Sequence, residues 1–377
     1  AGTFSDGKLY SRSNKRGNTN RIIEIFHYHG AKDEILYEAH PHIGTDILSV
    51  VVTNIRKTIL ECGGQILFSA KVTDILIENG KAKGVRLADN RVLKSDYVIL
   101  ATGHSARDIY RLLQEKNIEI QAKGFAMGVR VEHPQELINH IQYKGYKSEF
   151  LTAASYNLTS QVDGRGVYSF CMCPGGMIVP SATEREQVVV NGMSSSARNS
   201  PFANSGVVVE LHPKDFTEFH QYGELCGVYF QQQLEHLAYA SNGGQNQKAP
   251  AQRLTDFIRG RLSADIHKSS YLPGIVSSPI HFWLPKLIGD SLREGFRVFD
   301  NKMKGFVTSE AIILGVESRT SSPVRIPRHK DTLQHIQIQG LYPCGEGAGY
   351  SGGITSSAID GQRVAEQISL IDNEKNR

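Results

Sequence analysis

The sequence predicts an α/β fold into which a second, strand-rich layer is inserted. Two segments far apart in the chain predict the α/β part: residues 44–103 combine a helix, a meander and a strand, and residues 340–368 combine a strand, a glycine-rich loop and a helix. Between them, from about Glu119, strand-like apolar segments follow one another and predict the inserted layer.

Residues 44–70 predict a helix followed by a strand. Thr45 is a candidate N-cap, and apolar side chains recur behind it at helical spacing: Ile47, Val51, Ile55 and Ile59. Gly63-Gly64 predicts the end of this helix, and the run QILFSA at 65–70 predicts a strand.

Residues 72–103 predict a three-stranded β-meander and then a buried strand. Asn79-Gly80 and Asp89-Asn90 are signals for two-residue hairpin turns, so the chain is expected to fold back on itself twice. The apolar segment that starts at Tyr97 ends in Ala-Thr-Gly and predicts a short strand followed by a tight loop.

The middle of the chain predicts strands first and helices later. Four segments are strand-like: FAMGVRVE (125–132), GVYSFCMC (166–173), QVVVNGM (187–193) and GVVVEL (206–211). After them we predict a helix from Asp215 to Tyr239, a polar linker at 241–252, a helix from Pro285 to Met303 and a strand in FVTSEAIILGVE (306–317).

The last segment, GLYPCGEGAGYSGGITSSAIDGQRVAEQI (340–368), indicates a cofactor held by the main chain. Six glycines between Gly345 and Gly361 permit positive φ angles and close approach of backbone to a flat ligand. The helix that follows offers free N–H groups and partial positive charge at its N-terminus, which suits an anion. Residues 347–352 also match G-x-G-x-x-G, but only 25 residues follow, so we reject a dinucleotide-binding βαβ unit there.

The composition is that of a globular protein large enough for two domains. Of 377 residues, 40% are hydrophobic and 21% are charged, and the net charge is only +4. No basic run carries interleaved aromatic residues, so we expect no nucleic-acid partner. Five scattered cysteines, with no signal peptide and no apolar stretch near the ~18 residues of a membrane span, favour a cytoplasmic protein without membrane association.

Eight segments that span nearly the whole chain carry a family resemblance: AGTFSDGKL (1–9), HPHIGTD (40–46), VILATG (98–103), FCMCPGG (170–176), VVNGMSSSARNS (189–200), SSYLPG (269–274), GVESRTSSPVRI (315–326) and CGEGAGYSGGI (344–354). On these segments the chain resembles the flavoproteins with two-part FAD-binding domains. Within that superfamily it is most similar to a family of uncharacterised bacterial FAD-dependent dehydrogenases.

The resemblance implies a fold and a division into domains. The fold is an α/β, FAD/NAD(P)-binding-like parallel sheet with a three-stranded β-meander, lacking its N-terminal βαβ unit, plus an inserted mixed α+β domain. Residues 1–117 and 336–377 would form the FAD-binding-like domain, and residues 118–335 the inserted substrate or cap domain.

The resemblance also implies which residues bind FAD. Val72 is expected to meet the adenine through its backbone. The other implied contacts are Ala101, Thr102 and Gly103 along the dinucleotide, Gly345 and Glu346 beside the ribityl chain and pyrophosphate, Gly352, Gly353 and Ile354 under the flavin pyrimidine, and Ser5, Asp6 and Lys8 from TFSDGKL. Many superfamily members have aspartate where this chain has Glu346.

The front of the chain departs from the superfamily. Such proteins open with a strand, a G-x-G-x-x-G loop and a helix that receive the pyrophosphate, followed by an acidic residue for the ribose. Nothing of the kind precedes residue 44. We therefore expect the first βαβ unit to be missing from this chain, and the chain alone to bind FAD weakly or not at all.

Two clusters offer alternatives to flavin chemistry. His27, His29, His40 and His42 fall within sixteen residues, and on strands each i,i+2 pair would share a face, as a metal site requires. No cysteine or carboxylate completes a ligand spacing, so core or pocket-lining histidines are the preferred interpretation and we expect no metal. Cys171 and Cys173 could exchange electrons with a flavin, or be structural thiols beside the Pro174-Gly-Gly turn.

The segment ESRTSSPVR (317–325) is the candidate substrate site. Its arginines and hydroxyls suit a carboxylate or phosphate, which makes Arg319, Ser321, Ser322 and Arg325 the predicted substrate contacts. Alternatively, Glu317 and Arg319 pair with each other or tie the inserted domain to the cofactor domain.

The sequence therefore predicts an FAD-dependent oxidoreductase, a dehydrogenase or reductase in which the flavin N5 donates or accepts hydride. A small-molecule substrate and an unidentified electron donor or acceptor are the expected partners. No convincing acid or base is present, and His42 and Lys8 are only weak catalytic candidates. The alternatives are a non-catalytic flavin-binding or regulatory protein, such as a partner in RNA modification, and a metal or thiol protein that uses the two clusters.

Overall fold

A computed structural model describes residues 6–10, 17–244 and 246–375 of the chain. The α-helices of this part are α1 Thr19–Tyr28, α2 Thr45–Glu61, α3 Arg107–Glu115, α4 Gln135–Gln142, α5 Cys226–Ala240, α6 Leu254–Arg259, α7 Ile280–Trp283, α8 Lys286–Lys302 and α9 Ile354–Lys375. Short 3₁₀ helices span Asp33–Leu36, Pro213–Asp215 and Thr217–Leu225. Over the described residues, no helix is both long enough and apolar enough to cross a bilayer.

The strands are β1 Val72–Glu78, β2 Lys81–Leu87, β3 Val92–Lys94, β4 Val98–Leu100, β5 Gln121–Ala122, β6 Phe125–Pro134, β7 Thr159–Val162, β8 Arg165–Cys173, β9 Gly176–Pro180, β10 Val190–Ser194, β11 Phe202–Leu211, β12 Ala249–Arg253, β13 Ile275–Ser277, β14 Ile312–Glu317, β15 Val324–Arg325 and β16 Leu341–Pro343. The α/β fold class predicted from the sequence is confirmed.

The α/β part contains the predicted meander and a parallel strand pair. Strands β1, β2 and β3 form an antiparallel three-stranded sheet. Asn79 and Gly80 both have positive φ in its first turn, as the Asn-Gly signal predicts. β4 pairs in parallel with β16 although more than 200 residues separate them in the chain, so both strands end at the same edge. Helices α1, α2 and α9 pack beside this part around Ile22, Val51 and Ile359.

A seven-stranded sheet fills the middle of the chain, in the order β13-β12-β14-β6-β11-β8-β7. Its centre is the ten-residue antiparallel pairing of β6 with β11. Apolar side chains of these strands are buried against α5 and α8, with Val129, Val207 and Phe296 fully buried in the largest core cluster. Strands β5 and β15 pair where the chain enters and leaves this part.

Four local predictions are wrong. Residues 65–70 form no strand: Phe68 is 71% exposed, and no described strand lies beside the segment to accept its hydrogen bonds. Gly44, with φ of 89°, precedes α2 as its N-cap, while the Thr45 hydroxyl donates to the Ser194 carbonyl at 3.3 Å.

The other two errors lie in the inserted part. The predicted helix at 215–239 is split into a 3₁₀ segment and α5, because Gly223 takes a positive φ of 57°. The predicted linker at 241–252 ends inside β12, which is buried between β13 and β14. Apolar Ala249 and Ala251 are too small to signal this strand against the surrounding polar residues.

Candidate functional site

Two glycine-containing loops meet where the parallel strands end. β4 and β16 run side by side, and the Cys344 N–H donates to the Leu100 carbonyl at 3.0 Å, so residues 101–103 and 345–347 leave the sheet together. A Cβ on Gly347 would lie 2.5 Å from the Gly103 carbonyl oxygen, so the two loops touch only because residue 347 is glycine. The structure thus brings together Ala101, Thr102, Gly103, Gly345 and Glu346.

Val72 lies near this edge of the sheet. It starts β1, and the preceding Lys71 pairs with Asp108 at 3.0 Å. Asp108 belongs to the first turn of α3, which begins four residues after Gly103. The residue before Val72 therefore contacts the helix that follows the Ala101–Gly103 loop, and the adenine contact at Val72 stays a prediction.

Glu346 has a partner that the sequence did not single out. His104 follows Gly103 directly, and its Nδ1 lies 3.3 Å from a carboxylate oxygen of Glu346. Burial alone would raise the pKa of Glu346, but the hydrogen bond and charge interaction with His104 keep that pKa below its usual value. Glu346 is therefore an anionic side chain fixed in position next to the meeting point of the two loops.

A buried ion pair holds the glycine-rich loop in place. Asp360, on the second turn of α9, accepts the Gly345 N–H at 2.8 Å and both guanidinium nitrogens of Arg328, at 3.0 and 2.5 Å. The same guanidinium donates to the Pro343 carbonyl and lies 3.9 Å above the Tyr350 ring. Although burial opposes its ionisation, the hydrogen bonds from Arg328 and Gly345 lower the pKa of Asp360. Side chains thus fix the main chain that faces the candidate ligand.

The N-terminus of α9 opens into a cavity of about 510 Å³. Gly352 and Gly353 are exposed there, and a Cβ on Gly352 would meet no described atom within 4 Å. The cavity wall combines the loop and the first turns of α9, up to Arg363, with side chains from elsewhere in the chain: Tyr10, Lys123, Ser321 and Arg325. The N–H groups of Gly352 and Gly353 donate to the Ser356 hydroxyl, so it is the helix dipole and the nearby cations that make this cavity suitable for an anionic ligand.

The four predicted substrate residues divide into two pairs. Ser321 and Arg325 line the cavity. Ser322 is buried and bonds to Tyr110 at 2.9 Å and to the Val324 carbonyl at 2.6 Å, so it holds its own loop. Arg319 is also turned away from the cavity.

The Arg319 guanidinium is used within the protein. Its five N–H groups donate to the Glu235 carboxylate twice, to Ser105, to Thr183 and to Gln187, at 2.6 to 3.3 Å. Glu317 does not pair with Arg319 and instead bonds to Arg130 at 2.7 Å. With these bonds in place Arg319 has no further N–H group to offer a ligand, so of the four predicted substrate contacts this arrangement favours Ser321 and Arg325.

A second group of polar side chains, the thiol cluster, joins the segment 6–9 to the two cysteines at the end of β8. We define it as Asp6, Lys8, Arg130, Cys171, Cys173 and Glu317. Lys8 Nζ lies 3.8 Å from Cys171 Sγ and 3.5 Å from Cys173 Sγ, and it donates to the Met172 carbonyl. Asp6 pairs with Lys8 at 3.2 Å and with His42 at 3.3 Å, and accepts the Ser194 N–H and hydroxyl at 2.6 Å.

Asp6, Lys8 and His42 therefore form one unit, while Ser5 lies outside the described residues. Burial alone would raise the pKa of Asp6, but the bond to His42 and the charge of Lys8 hold it well below its usual range. The unit approaches the cavity through the next residues: the Leu9 carbonyl accepts the Thr355 hydroxyl of α9 at 2.7 Å, and Tyr10 lines the cavity.

The histidine cluster does not converge. His27 and His29 lie at the end of α1 rather than on a strand, and they bond to Asp33 at 2.8 Å and to Thr58 at 3.0 Å. His40 packs its ring 4.6 Å from that of Tyr10, and His42 binds Asp6. Among the described residues, no three metal-ligating side chains come together, and the four histidines do not share one site.

Sequence reasoning missed four side chains of the site: His104, Arg130, Arg328 and Asp360. His104 could have been found because it directly follows the Ala-Thr-Gly loop. Arg130 sits in the apolar strand β6, where a lone arginine signals a buried partner. The pair formed by Arg328 and Asp360 has no local signal, because the two residues are separated by the whole glycine-rich loop.

Two family models match the chain. The model described as "FAD-dependent protein, C-terminal domain-like" matches residues 124–320, and the model described as "Glucose inhibited division protein A" matches residues 51–159. An uncharacterized protein of Clostridium beijerinckii (strain ATCC 51743 / NCIMB 8052) is 43% identical over 373 residues, which cover 98% of this chain and 69% of that protein.

Several solved structures resemble the chain more distantly. An oxidoreductase from Methanosarcina mazei is 15% identical at a TM-score of 0.34, with 85% of this chain and 53% of that chain covered. L-proline dehydrogenase from P. horikoshii is 13% identical at a TM-score of 0.34, and glycine oxidase from Bacillus cereus ATCC 14579 is 13% identical at 0.30; each comparison covers 88% of this chain and 57% of the other. This chain thus spans just over half the length of these solved proteins.

Proposed function

The chain belongs to the FAD-dependent protein family, whose cofactor is FAD, and we propose that it acts in an oxidoreductase that binds the flavin ring of FAD in the cavity at the N-terminus of α9. One observation carries this proposal: the cavity of about 510 Å³ is lined by the glycine-rich loop with its two exposed glycines, by the N-terminus of α9, and by the cations Lys123 and Arg325. A flat ligand with negative charge fits such a frame.

The residues present fit FAD at three further places. Gly103 and Gly347 leave no room for side chains between the two loops, so main chain can approach a dinucleotide closely. Glu346 is a fixed hydrogen-bond acceptor for a ribityl or ribose hydroxyl. Val72 begins a strand at the same edge. We propose Val72, residues 101–103, Gly345, Glu346 and residues 352–354 as the FAD contacts, with residues 1–117 and 336–377 as the FAD-binding-like domain.

FAD, when bound, supplies two-electron hydride chemistry at N5 of its isoalloxazine ring. The chain's own contribution is electrostatic and geometric. The positive end of α9 favours negative charge at the adjacent cavity wall, and Lys123 and Arg325 add two cations near the same space. Burial, together with the charge of Arg325, lowers the pKa of Lys123. A ligand anion in the cavity would restore that pKa and gain a charge-assisted hydrogen bond.

We propose that a small anionic substrate binds beside Ser321 and Arg325. Ser321 also lines a neighbouring cavity of about 460 Å³, whose wall includes Tyr168, Glu210 and His212 of the seven-stranded sheet and its flank. The two cavities adjoin at this serine, so substrate and flavin can share a boundary there. In this proposal residues 118–335 form the substrate domain.

Lys8 and His42, the two catalytic candidates, are not wall residues of the cavity. Both side chains bond to Asp6, and Lys8 also contacts the two thiols. We therefore assign the unit of Asp6, Lys8 and His42 to positioning residues 8–10 against α9, and no acid or base for the hydride step is proposed.

The experiment that tests the proposal is an FAD titration of two matched glycine variants. Gly352→Leu places a side chain in open space at the cavity, and Gly361→Leu places one in open space further along α9. We expect Gly352→Leu to weaken FAD binding at least tenfold relative to Gly361→Leu, with equal melting temperatures, when followed by flavin fluorescence. Equal affinities would overturn the proposed cavity.

The same titration also tests the alternative that the protein binds flavin without catalysing a reaction. A bound flavin that nicotinamide donors, quinones and small anionic substrates all fail to reduce or reoxidise would favour a non-catalytic flavin-binding protein.

A further inference from the structure

A break in strand β8 brings two cysteines together. β8 pairs with β11 so that Cys173 faces Asn204 and Phe170 faces Gly206, which leaves Cys171 and Met172 opposite the single residue Ser205. At this bulge Cys171 takes a positive φ of 48°, a conformation that side chains larger than glycine rarely adopt. In a regular strand, residues two apart are separated by about 6.6 Å. Here the two sulfurs are 4.0 Å apart.

The two thiols are surrounded by cations. Lys8 Nζ lies within 3.8 Å of both sulfurs, and a guanidinium nitrogen of Arg130 lies 3.5 Å from Cys173 Sγ. A Cβ at Gly192 would come within 2.0 Å of the Arg130 guanidinium, so glycine at 192 makes room for it. Two cations in contact with the sulfurs disfavour a metal ion and favour a thiolate.

The two thiols differ in ionisation and in access. The hydrogen bond from the Cys173 thiol, helped by Lys8 and Arg130, holds the pKa of Cys171 well below its usual value, whereas burial raises the pKa of Cys173. Cys171 is partly exposed and Cys173 is fully buried. Negative charge is therefore favoured on the sulfur of Cys171, the partly exposed residue, and the proton is favoured on the buried Cys173 beside it.

We infer that Cys171 and Cys173 form a redox-active dithiol that exchanges two electrons with a small disulfide. The inference stands on the geometry of the thiol cluster and does not rest on FAD binding. Its closest competitor is a structural role for two thiols under the Pro174-Gly-Gly turn, which requires neither the bulge nor the contact with Lys8.

The reaction follows from the asymmetry of the pair. The Cys171 thiolate attacks one sulfur of the disulfide R–S–S–R, the S–S bond breaks, and R–S⁻ leaves with the bonding electron pair. Cys173 then gives up its proton, its sulfur attacks the Cys171 sulfur of the mixed disulfide, and the second R–S⁻ leaves. The small disulfide is reduced to two thiol equivalents, one of which takes the Cys173 proton, and the protein pair is oxidised to a disulfide.

Closing that bond needs a modest movement. A disulfide holds its sulfurs about 2 Å apart, so the two side chains must approach each other by roughly 2 Å. The ring closed by residues 171–173 is short, and strained disulfides of this kind are the labile ones that are reduced again readily. The reverse reaction with small thiols is therefore expected to return the dithiol.

Trapping with oxidised glutathione tests the inference. Trypsin releases residues 166–185 as one peptide that holds both thiols and no other cysteine. After incubation with oxidised glutathione and quenching with acid and N-ethylmaleimide, mass spectrometry should find this peptide as an internal disulfide, two hydrogen atoms lighter. Exposed Cys62 should carry glutathione instead and serves as the internal control. Recovery of residues 166–185 with two maleimide groups, while Cys62 is modified, would overturn the inference.

Two variants assign the roles. Cys173→Ser should leave glutathione on Cys171 because the second step is blocked, and Cys171→Ser should leave Cys173 unmodified because it is buried. Glutathione on Cys173 in the second variant would contradict the assignment. If either variant folds poorly, the trapping experiment on the wild-type protein still tests the inference.

Lys8 is a positioning residue in this inference, and it has its own readout. Lys8→Met should slow iodoacetamide alkylation of Cys171 by roughly tenfold at pH 7 and move the midpoint of its pH profile upward, whereas Lys8→Arg should restore both. An unchanged midpoint in Lys8→Met would show that the lysine acts only through packing and would remove the thiolate from the inference.

Discussion

The glycine-rich loop before α9 and the thiol cluster meet at one short segment, yet they are built in opposite ways. Lys8 contacts the thiols, Leu9 bonds to α9 and Tyr10 lines the cavity. The loop presents main chain to an open cavity, and its shape depends on the absence of side chains. The cluster brings charged side chains into contact with one another, with Arg130 and Glu317 buried and Cys171 partly exposed, and its shape depends on residues from β6, β8 and β14.

This difference determines how much a substitution in each region lowers the stability of the protein. In the loop, an added methyl group is harmful only where another backbone lies against it. In the cluster, a removed side chain leaves its former partners buried without hydrogen bonds or countercharge. Substitutions in the buried cluster should therefore destabilise the protein more than substitutions in the loop.

Replacement of Arg130 should have the largest effect. In Arg130→Met, Glu317 loses its countercharge, and Asn204 Oδ1 and the Cys171 carbonyl lose their donor. Because Arg130 and Glu317 are fully buried, we expect the free energy of unfolding to fall by about 3–5 kcal/mol, measured by urea denaturation.

The control is Arg165→Met. Arg165 makes an equally good pair with Asp215, at 2.7 and 2.6 Å, but this pair is partly exposed and lies outside the thiol cluster. It should cost about 1 kcal/mol. Similar losses in the two variants would mean that burial of the cluster is not what makes Arg130 important.

The second effect is a pH dependence that comes from Glu317. Burial raises the pKa of this carboxyl from 4.5 to about 7, although Arg130 opposes the shift. Between these two values the folded protein keeps a proton that the unfolded chain releases, so stability is lost as pH rises. We expect wild type to lose on the order of 2–3 kcal/mol relative to Glu317→Gln between pH 4.5 and pH 7.

Urea denaturation of both proteins at several pH values measures this difference. Since the amide introduced by Glu317→Gln cannot titrate, ionisable groups that do not interact with Glu317 cancel in the comparison, while the charge of Cys171, which acts on Glu317, remains part of the measured difference. Parallel curves for the two proteins would show that the Glu317 carboxyl keeps an ordinary pKa in the folded state.

The sequence predicted the glycine-rich loop well because the residues that shape this loop lie close together in the chain. Glycines at 345, 347, 349, 352 and 353, followed by apolar residues at helical spacing, can be recognised without knowledge of the rest of the chain. The structure then placed the predicted residues 101–103 against them, since β4 and β16 are parallel neighbours. The residues assigned to FAD there stay a proposal until ligand binding is measured.

The thiol cluster was only partly predictable because the residues that form it come from distant parts of the chain. The sequence singled out Asp6, Lys8, Cys171 and Cys173, but nothing in it showed that they share one site. Their meeting depends on a bulge in β8 and on the entry of Arg130 above Gly192, which arise from pairing between distant strands. For the same reason Arg319 was assigned to substrate, although its partner Glu235 lies on α5, more than 80 residues earlier.

Position 347 of the glycine-rich loop should not tolerate a side chain. Gly347→Ala should destabilise the protein by about 1–3 kcal/mol, because the new Cβ would lie 2.5 Å from the Gly103 carbonyl oxygen and neither backbone can move freely. Thermal unfolding measures the loss. Gly352→Ala, in the same loop but facing open space, should change stability by less than about 0.5 kcal/mol. Equal effects would mean that the loop tolerates side chains everywhere.

The smallest expected effect tests whether the loop also depends on side chains. In Asp360→Asn the bidentate pair with Arg328 becomes a neutral contact, but the amide oxygen can still accept the Gly345 N–H. We expect a loss of about 1–2 kcal/mol at neutral pH. Because the ionised carboxylate with its lowered pKa is the stabilising form, this difference from wild type should disappear as the solution is acidified and Asp360 is protonated. A difference that stays constant down to acid pH would show that Asp360 supports the loop through shape alone, and the contrast between a loop built from main chain and a cluster built from charges would be sharper still.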